Sequence, residues 1–194
     1  MAAHRRLTAL GGVAGPVGFV AAWAVGGAIA KDYSPLDDAI SRLAAVDAPT
    51  RVLMTTGFVV FGVGVPLYGL ALRERLSGPA WASAVATGLA TLGVAALPLD
   101  RSATVDLVHG AFASVGYATL AGVPLLAARP LRDEGRTRAA AASLATGAVA
   151  GACLLATLAG RRHGFFQRAG LTAGDVWLVT SAFWLLRDRT PSRR

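Results

Sequence analysis

The chain holds one cysteine, Cys153, and one lysine, Lys31, among 194 residues. A single thiol closes no intrachain disulfide and builds no cysteine zinc site. Cys153 lies inside an apolar run and reads as a small core residue. Charge is scarce as well. Asp, Glu, Lys and Arg together make up 15% of the sequence, against roughly 25% in an ordinary soluble domain. That excludes a sizeable soluble domain. The net charge of +8 comes from arginines in short segments between apolar runs, not from one basic face, so nucleic acid is excluded as a partner. No HExxH, CxxC, GxSxG or P-loop pattern is present, and these are the spacings that metal, nucleophile and phosphate chemistry require. Of the three histidines, His4 and His163 fall at opposite ends, which disfavours a two-histidine haem. A metal site from Asp37, Asp38, Asp106 and His109 is a weaker reading, and no cofactor is expected.

What the sequence has instead is long apolar runs, with 54% hydrophobic residues overall. Six spans can be drawn: Leu7–Ile29, Val52–Leu72, Trp81–Leu97, Thr104–Ala127, Arg138–Ala159 and Gln167–Leu186. Each has about 17 to 24 residues, or about 25–36 Å at about 1.5 Å per residue, enough to cross the hydrocarbon layer. Every amide in lipid must be paired within the protein, so the spans should be helices. The expectation is an all-α, polytopic membrane helix bundle of about six transmembrane helices, with residues 1–194 as one integral membrane domain. The first span has a rival reading as a signal peptide, given His4, Arg5 and Arg6 before it and "AIA" at Ala28–Ala30. Its length and the five spans that follow favour a retained first helix.

The Lys and Arg content of the loops sets the expected orientation. Arg5, Arg6, Arg73, Arg75, Arg129, Arg132, Arg136, Arg138, Arg187, Arg189, Arg193 and Arg194 fall on one side. Lys31, Arg42, Arg51, Arg101, Arg161, Arg162 and Arg168 fall on the other. The richer side should be cytoplasmic, which puts both termini in the cytoplasm of a multi-pass cell-membrane protein. Gly11 with Gly15, and Gly147 with Gly151, form GxxxG pairs suited to close helix packing. Pro16, Pro66 and Pro124 are expected to kink their spans.

The outer loop "KDYSPLDDAISRLAA" at 31–45 is the most charged outer segment. Ser34 suits a helix cap and Pro35 the first turn. Leu36, Ile40 and Leu43 recur on one face, and Asp38 and Arg42 are spaced as an i, i+4 ion pair. The loop is therefore expected to be a short amphipathic interfacial helix. Two further outer segments are polar. Asp106 and His109 share a face at the start of span four. Arg168, Thr172 and Asp175 share a face of span six, beside Gln167. Ionisable groups inside spans are costly, at about 2.5–3.5 kcal/mol each, and normally face the bundle interior. Asp38, Arg42, Asp106, His109, Gln167, Arg168 and Asp175 are therefore expected to converge on one outward-facing pocket. The alternative is that they pair with one another and only fasten helices together.

Three segments taken together, "YSPLDDAISRLAA", "HGAFASVGY" and "GFFQRAGLTAGDVWLV", resemble the bacterial and archaeal membrane family catalogued as domain of unknown function 998. The resemblance rests on Tyr33, Ser34, Pro35, Ile40, Ser41, Leu43, His109, Gln167 and Arg168, and it departs at Asp37 and Asp38. It implies a six-helix integral membrane protein with no established activity. Three functional readings stay open. In the first, the outer pocket binds a membrane lipid headgroup or a small anionic ligand. In the second, the protein is an intramembrane enzyme acting on a lipid or isoprenoid, with His109 as acid or base oriented by Asp106. In the third, it is a structural or accessory protein with no ligand site. The sequence leaves the oligomeric state open.

Overall fold

Apolar segments surrounded by hydrocarbon close their hydrogen bonds on themselves, and all the long runs of this chain do so as α-helices. The computed structural model describes residues 2–160 and 162–188. Arg161, Arg189, Arg193 and Arg194, counted above for orientation, lie outside the described residues. Helix α1 (Ala2–Ala9) passes through Leu10, itself helical in backbone, into α2 (Gly11–Ile29). These two make the first membrane-length helix. α3 (Arg51–Arg75), α4 (Ala80–Ala96), α5 (Ala103–Asp133), α6 (Thr137–Thr157) and α7 (His163–Arg187) follow. Five helices are long and apolar enough to cross a membrane, and α4, of 17 residues, is a shorter apolar one.

Several boundaries differ from the expected spans, and those of α5 and α7 matter most. α5 runs six residues past Ala127, because Ala128 and Leu131 stay buried while Arg129 and Arg132 face outward. The helix thus continues as an amphipathic one where the apolar run stops. α7 begins at His163, so Gln167 and Arg168 sit in its second turn rather than at its start.

Each helix packs on the next, and α7 returns to α2, closing the bundle. Glycine permits the tightest crossing. A Cβ on Gly64 would lie 2.7 Å from the Gly11 carbonyl oxygen, and one on Gly11 would overlap the Gly64 carbonyl. Gly15 lies against Phe61 and Val65 at the same crossing, so the first GxxxG pair is a packing site. The second is split. Gly147 abuts Leu125 and the Ala121 carbonyl, but nothing lies within 4 Å of a Cβ on Gly151.

The helix ends fall into two layers. At the end that carries Arg5 and Asp188, called here the termini end, Arg75 is held by two acids. Its Nη1 donates to Glu134 Oε1 at 2.9 Å and its Nε donates to Asp188. These side chains are only 12–15% exposed. Arg5 Nη2 donates to the Asp188 carbonyl at 2.9 Å. One arginine thus ties the ends of α3, α5 and α7 together. Removing one partner of a buried ion pair costs about 3 kcal/mol or more, since the others lose their counter-charge. Arg75→Gln is therefore expected to lower the thermal unfolding midpoint in mild detergent by several degrees.

Candidate functional site

At the far end, the segment between α2 and α3 is helical only over Ile40–Ala44, as a short 3-10 helix, and not from Pro35 onward as expected. A turn closes on Ser34, whose carbonyl accepts from Asp37 N–H at 3.1 Å and Asp38 N–H at 2.8 Å. Asp38 Oδ2 accepts from Ser34 N–H at 2.7 Å, and Ser34 Oγ donates to Asp37 Oδ2 at 2.9 Å. Ala39 is then extended, and a 3-10 turn follows over Ile40–Ala44. The reason is competition for backbone groups. A helix from Pro35 would use the Pro35 and Asp38 carbonyls internally, but here both accept from Arg168. Ile40 N–H donates to Gln167 Oε1 at 2.8 Å, and the Leu36 carbonyl accepts from Phe165 N–H at 2.9 Å. Helix α7 thus consumes the bonds the loop helix needed. Ile40 and Leu43 are buried, while Leu36 is exposed.

The expected Asp38–Arg42 pair is not made. Arg42 Nη1 donates to both Asp100 oxygens, at 2.7 and 2.8 Å. Asp106 Oδ1 accepts from Asp100 N–H at 3.0 Å and does not orient His109. That task falls to the Leu97 carbonyl, 2.6 Å from His109 Nδ1.

Arg168 is a clamp rather than a cleft wall. Its Nη1 donates to the carbonyls of Pro35 at 2.8 Å, Asp38 at 3.0 Å and Gly164 at 2.9 Å, and its Nη2 donates to Tyr33 OH. The guanidinium lies against the Trp23 and Tyr33 rings, at 5.5 and 5.4 Å. Burial pushes the Tyr33 hydroxyl above its ordinary pKa, and the charge and hydrogen bond of Arg168 oppose that rise. Gly164 allows the approach, since a Cβ there would run into the Asp38 and Pro35 carbonyl oxygens.

A cleft of about 590 Å³ opens between α5, α6 and the start of α7. Its apolar walls include Ala113, Leu154, Leu155 and Leu158, and its polar lining includes Ser41, His109, Tyr117, His163 and Gln167. Among the described residues no Asp, Glu, Lys or Arg lines it. His109 is 4% exposed. A carbonyl only accepts, so Nδ1 carries a proton, and in the neutral ring Nε2 then presents a lone pair. That Nε2 is buried without a hydrogen-bond partner. His163 Nδ1 is likewise 3.2 Å from the Thr157 carbonyl. Gln167 Nε2 donates to Tyr117 OH, which joins α7 to α5 at the cleft. Gly110 and Gly151 border it, with open space where a Cβ would stand.

Asp175 lies elsewhere. It lines a groove of about 440 Å³ between α2 and α7, with Pro16, Val17, Val20 and Ala21 opposite. Both its carboxyl oxygens are buried and unpartnered. The expected common pocket is therefore not assembled. His109 and Gln167 meet at the cleft, Asp38 and Arg42 stay in the loop, Asp106 caps the neighbouring turn, and Arg168 and Asp175 face α2. The i, i+4, i+7 face of α7 is real. Gln167, one residue before Arg168, points about 100° away from it, because a helix turns by that angle per residue. The Leu97 carbonyl and Tyr117 were not anticipated. Tyr117 follows His109 and Ala113 at i+4 steps, a stripe visible in the sequence. Among the described residues no group of three or more His, Cys, Asp or Glu side chains is placed to hold a metal ion.

A ring of apolar helices with a side cleft, its ionisable side chains gathered toward the ends except for Asp175 within α7, defines a multi-pass membrane protein. The chain belongs to the family described as protein of unknown function (DUF998), whose profile matches residues 13–184. Among curated proteins and among solved structures, none matches it.

Proposed function

We propose that the protein binds a membrane lipid in the cleft between α5 and α6, with the chain along the apolar walls and the headgroup at His109. The observation that carries this reading is the buried, unpartnered Nε2 of a histidine lining a mostly apolar cleft without charged side chains among its described residues. An orphaned acceptor of this kind costs about 1–3 kcal/mol unless a donor meets it. The absence of a cation among the described lining residues favours an uncharged headgroup that donates a hydroxyl, over an anion. The runner-up is an intramembrane enzyme acting on a lipid or isoprenoid. It is favoured by the same fixed orientation of His109, which a general base requires. On that reading His109→Gln abolishes turnover of a hydroxylated lipid and leaves the fold intact.

Gly151→Leu tests the binding site, since its side chain enters open space. Wild-type protein purified in mild detergent is expected to retain lipid by mass spectrometry. The variant should retain about tenfold less, equivalent to about 1.4 kcal/mol, at an unchanged unfolding midpoint. Equal retention would remove the cleft as the site.

A further inference from the structure

At the termini end, away from that cleft, we propose a second site in which Arg136 holds a phosphate-bearing headgroup. Arg136 immediately precedes α6, and its guanidinium carbon stacks 4.1 Å from the Trp184 ring centroid. Its Nη1 is buried and has no hydrogen-bond partner. The nearby acids do not serve it, since Glu134 and Asp188 are engaged by Arg75. Among the described residues Arg136 has no ion pair.

A cavity of about 180 Å³ lies beneath it, walled by Leu72, Leu131, Trp177 and Trp184. The hydroxyls in that wall are spent within the protein. Ser143 Oγ accepts from Trp177 Nε1 at 2.8 Å and donates to the Ala139 carbonyl at 2.8 Å. Ser181 Oγ donates to the Trp177 carbonyl at 2.7 Å, and Thr180 Oγ1 donates to the Val176 carbonyl at 2.7 Å. Arg136 is the charged donor of the wall, with a buried nitrogen still unspent, and most of the rest is apolar. Exposed Ala142 and Thr180 border the opening between α6 and α7. A guanidinium's planar fork matches a phosphate, and basic pockets between membrane helices recognise anionic headgroups in this way. The arrangement fits an anion joined to an apolar chain, with the anion at Arg136 and the chain entering past Ala142.

The test is competition between phosphatidylglycerol and phosphatidylcholine of matched chains, read by native mass spectrometry of the full protein. Wild type is expected to prefer phosphatidylglycerol by about tenfold. Arg136→Gln should remove that preference. Arg138→Gln, the same charge change on an exposed residue, should leave it within about twofold. Ala142→Trp, which blocks the opening without touching the guanidinium, should also remove it, so the result does not depend on Arg136→Gln folding. Glycerol phosphate is the second arm. If it raises the unfolding midpoint as phosphatidylglycerol does, the bound phosphate is a soluble one; if only the lipid does so, the headgroup is membrane-borne. No preference in wild type would overturn the proposal, as would equal losses in Arg136→Gln and Arg138→Gln, because surface charge alone would then explain the effect. Gly151→Leu should leave this preference intact, which separates the two sites.

Discussion

Gly11→Ala is expected to destabilise the protein by about 3 kcal/mol, the upper range for overpacking a tight contact. Alanine is normally the better helix former by about 1 kcal/mol, so the sign must come from the contact. The added methyl lands on the Gly64 carbonyl oxygen, which is backbone and cannot rotate away as a side chain would. The first helix must then lift off α3. That separates Phe19 from Phe58 and Phe61, whose rings sit 5.8 and 5.2 Å from it, and strains the bond from Arg5 to Asp188. Gly151→Ala is the internal control, because nothing lies within 4 Å of its new methyl; its expected effect is neutral or slightly stabilising. Thermal unfolding of both variants in the same detergent checks the pair. A comparable loss in Gly151→Ala would assign the effect to helix glycine in general and not to this crossing.

Arg168→Met is expected to be of similar size, about 4 kcal/mol, for a different reason. Hydrogen bonds from a charged donor contribute about 1.5–3 kcal/mol each, and Arg168 makes three to carbonyls and one to Tyr33. The total falls short of their sum because bonds in one network are not additive. The loss concentrates in the loop, since Pro35 and Asp38 lose the partner that replaced a helical one. Limited proteolysis between α2 and α3 should therefore accelerate along with the fall in unfolding midpoint. Arg168→Lys should rescue little, because a single ammonium cannot reproduce a fork that reaches several acceptors. A variant that unfolds earlier but keeps a protease-resistant loop would assign the role of Arg168 to α7 alone.

The spans were legible because they depend on a bulk property. A run of about twenty apolar residues has few alternatives to a membrane helix. Their ends were less legible. Arg129 and Arg132 mark the end of the apolar run, but the helix carries them on its outward face and continues because Leu131 remains buried. The far-end cluster failed on two counts. Adjacent residues on a helix face different neighbours, so Gln167 reaches Tyr117 while Arg168 reaches the loop. The i, i+4 spacing of Asp38 and Arg42 presupposed a helix that Arg168 and Gln167 dismantle from more than a hundred residues away in sequence. No local pattern reports a competitor at that distance. The three hydrogen bonds that Arg168 donates to carbonyls were hidden for the same reason, since any residue supplies a carbonyl and the sequence does not mark which ones are taken.

That long reach bears on biosynthesis. The segment after the first helix emerges from the ribosome early, yet the guanidinium and amide that fix it arrive only with the last helix. Until then it has its own Ser34–Asp38 turn and the pair of Arg42 with Asp100, but not the bonds that seat it on α7. A chain released before α7 would carry helices α1 to α6 and a loop lacking its bonds to the last helix. Quality-control proteases could read that loop as the mark of an incomplete product.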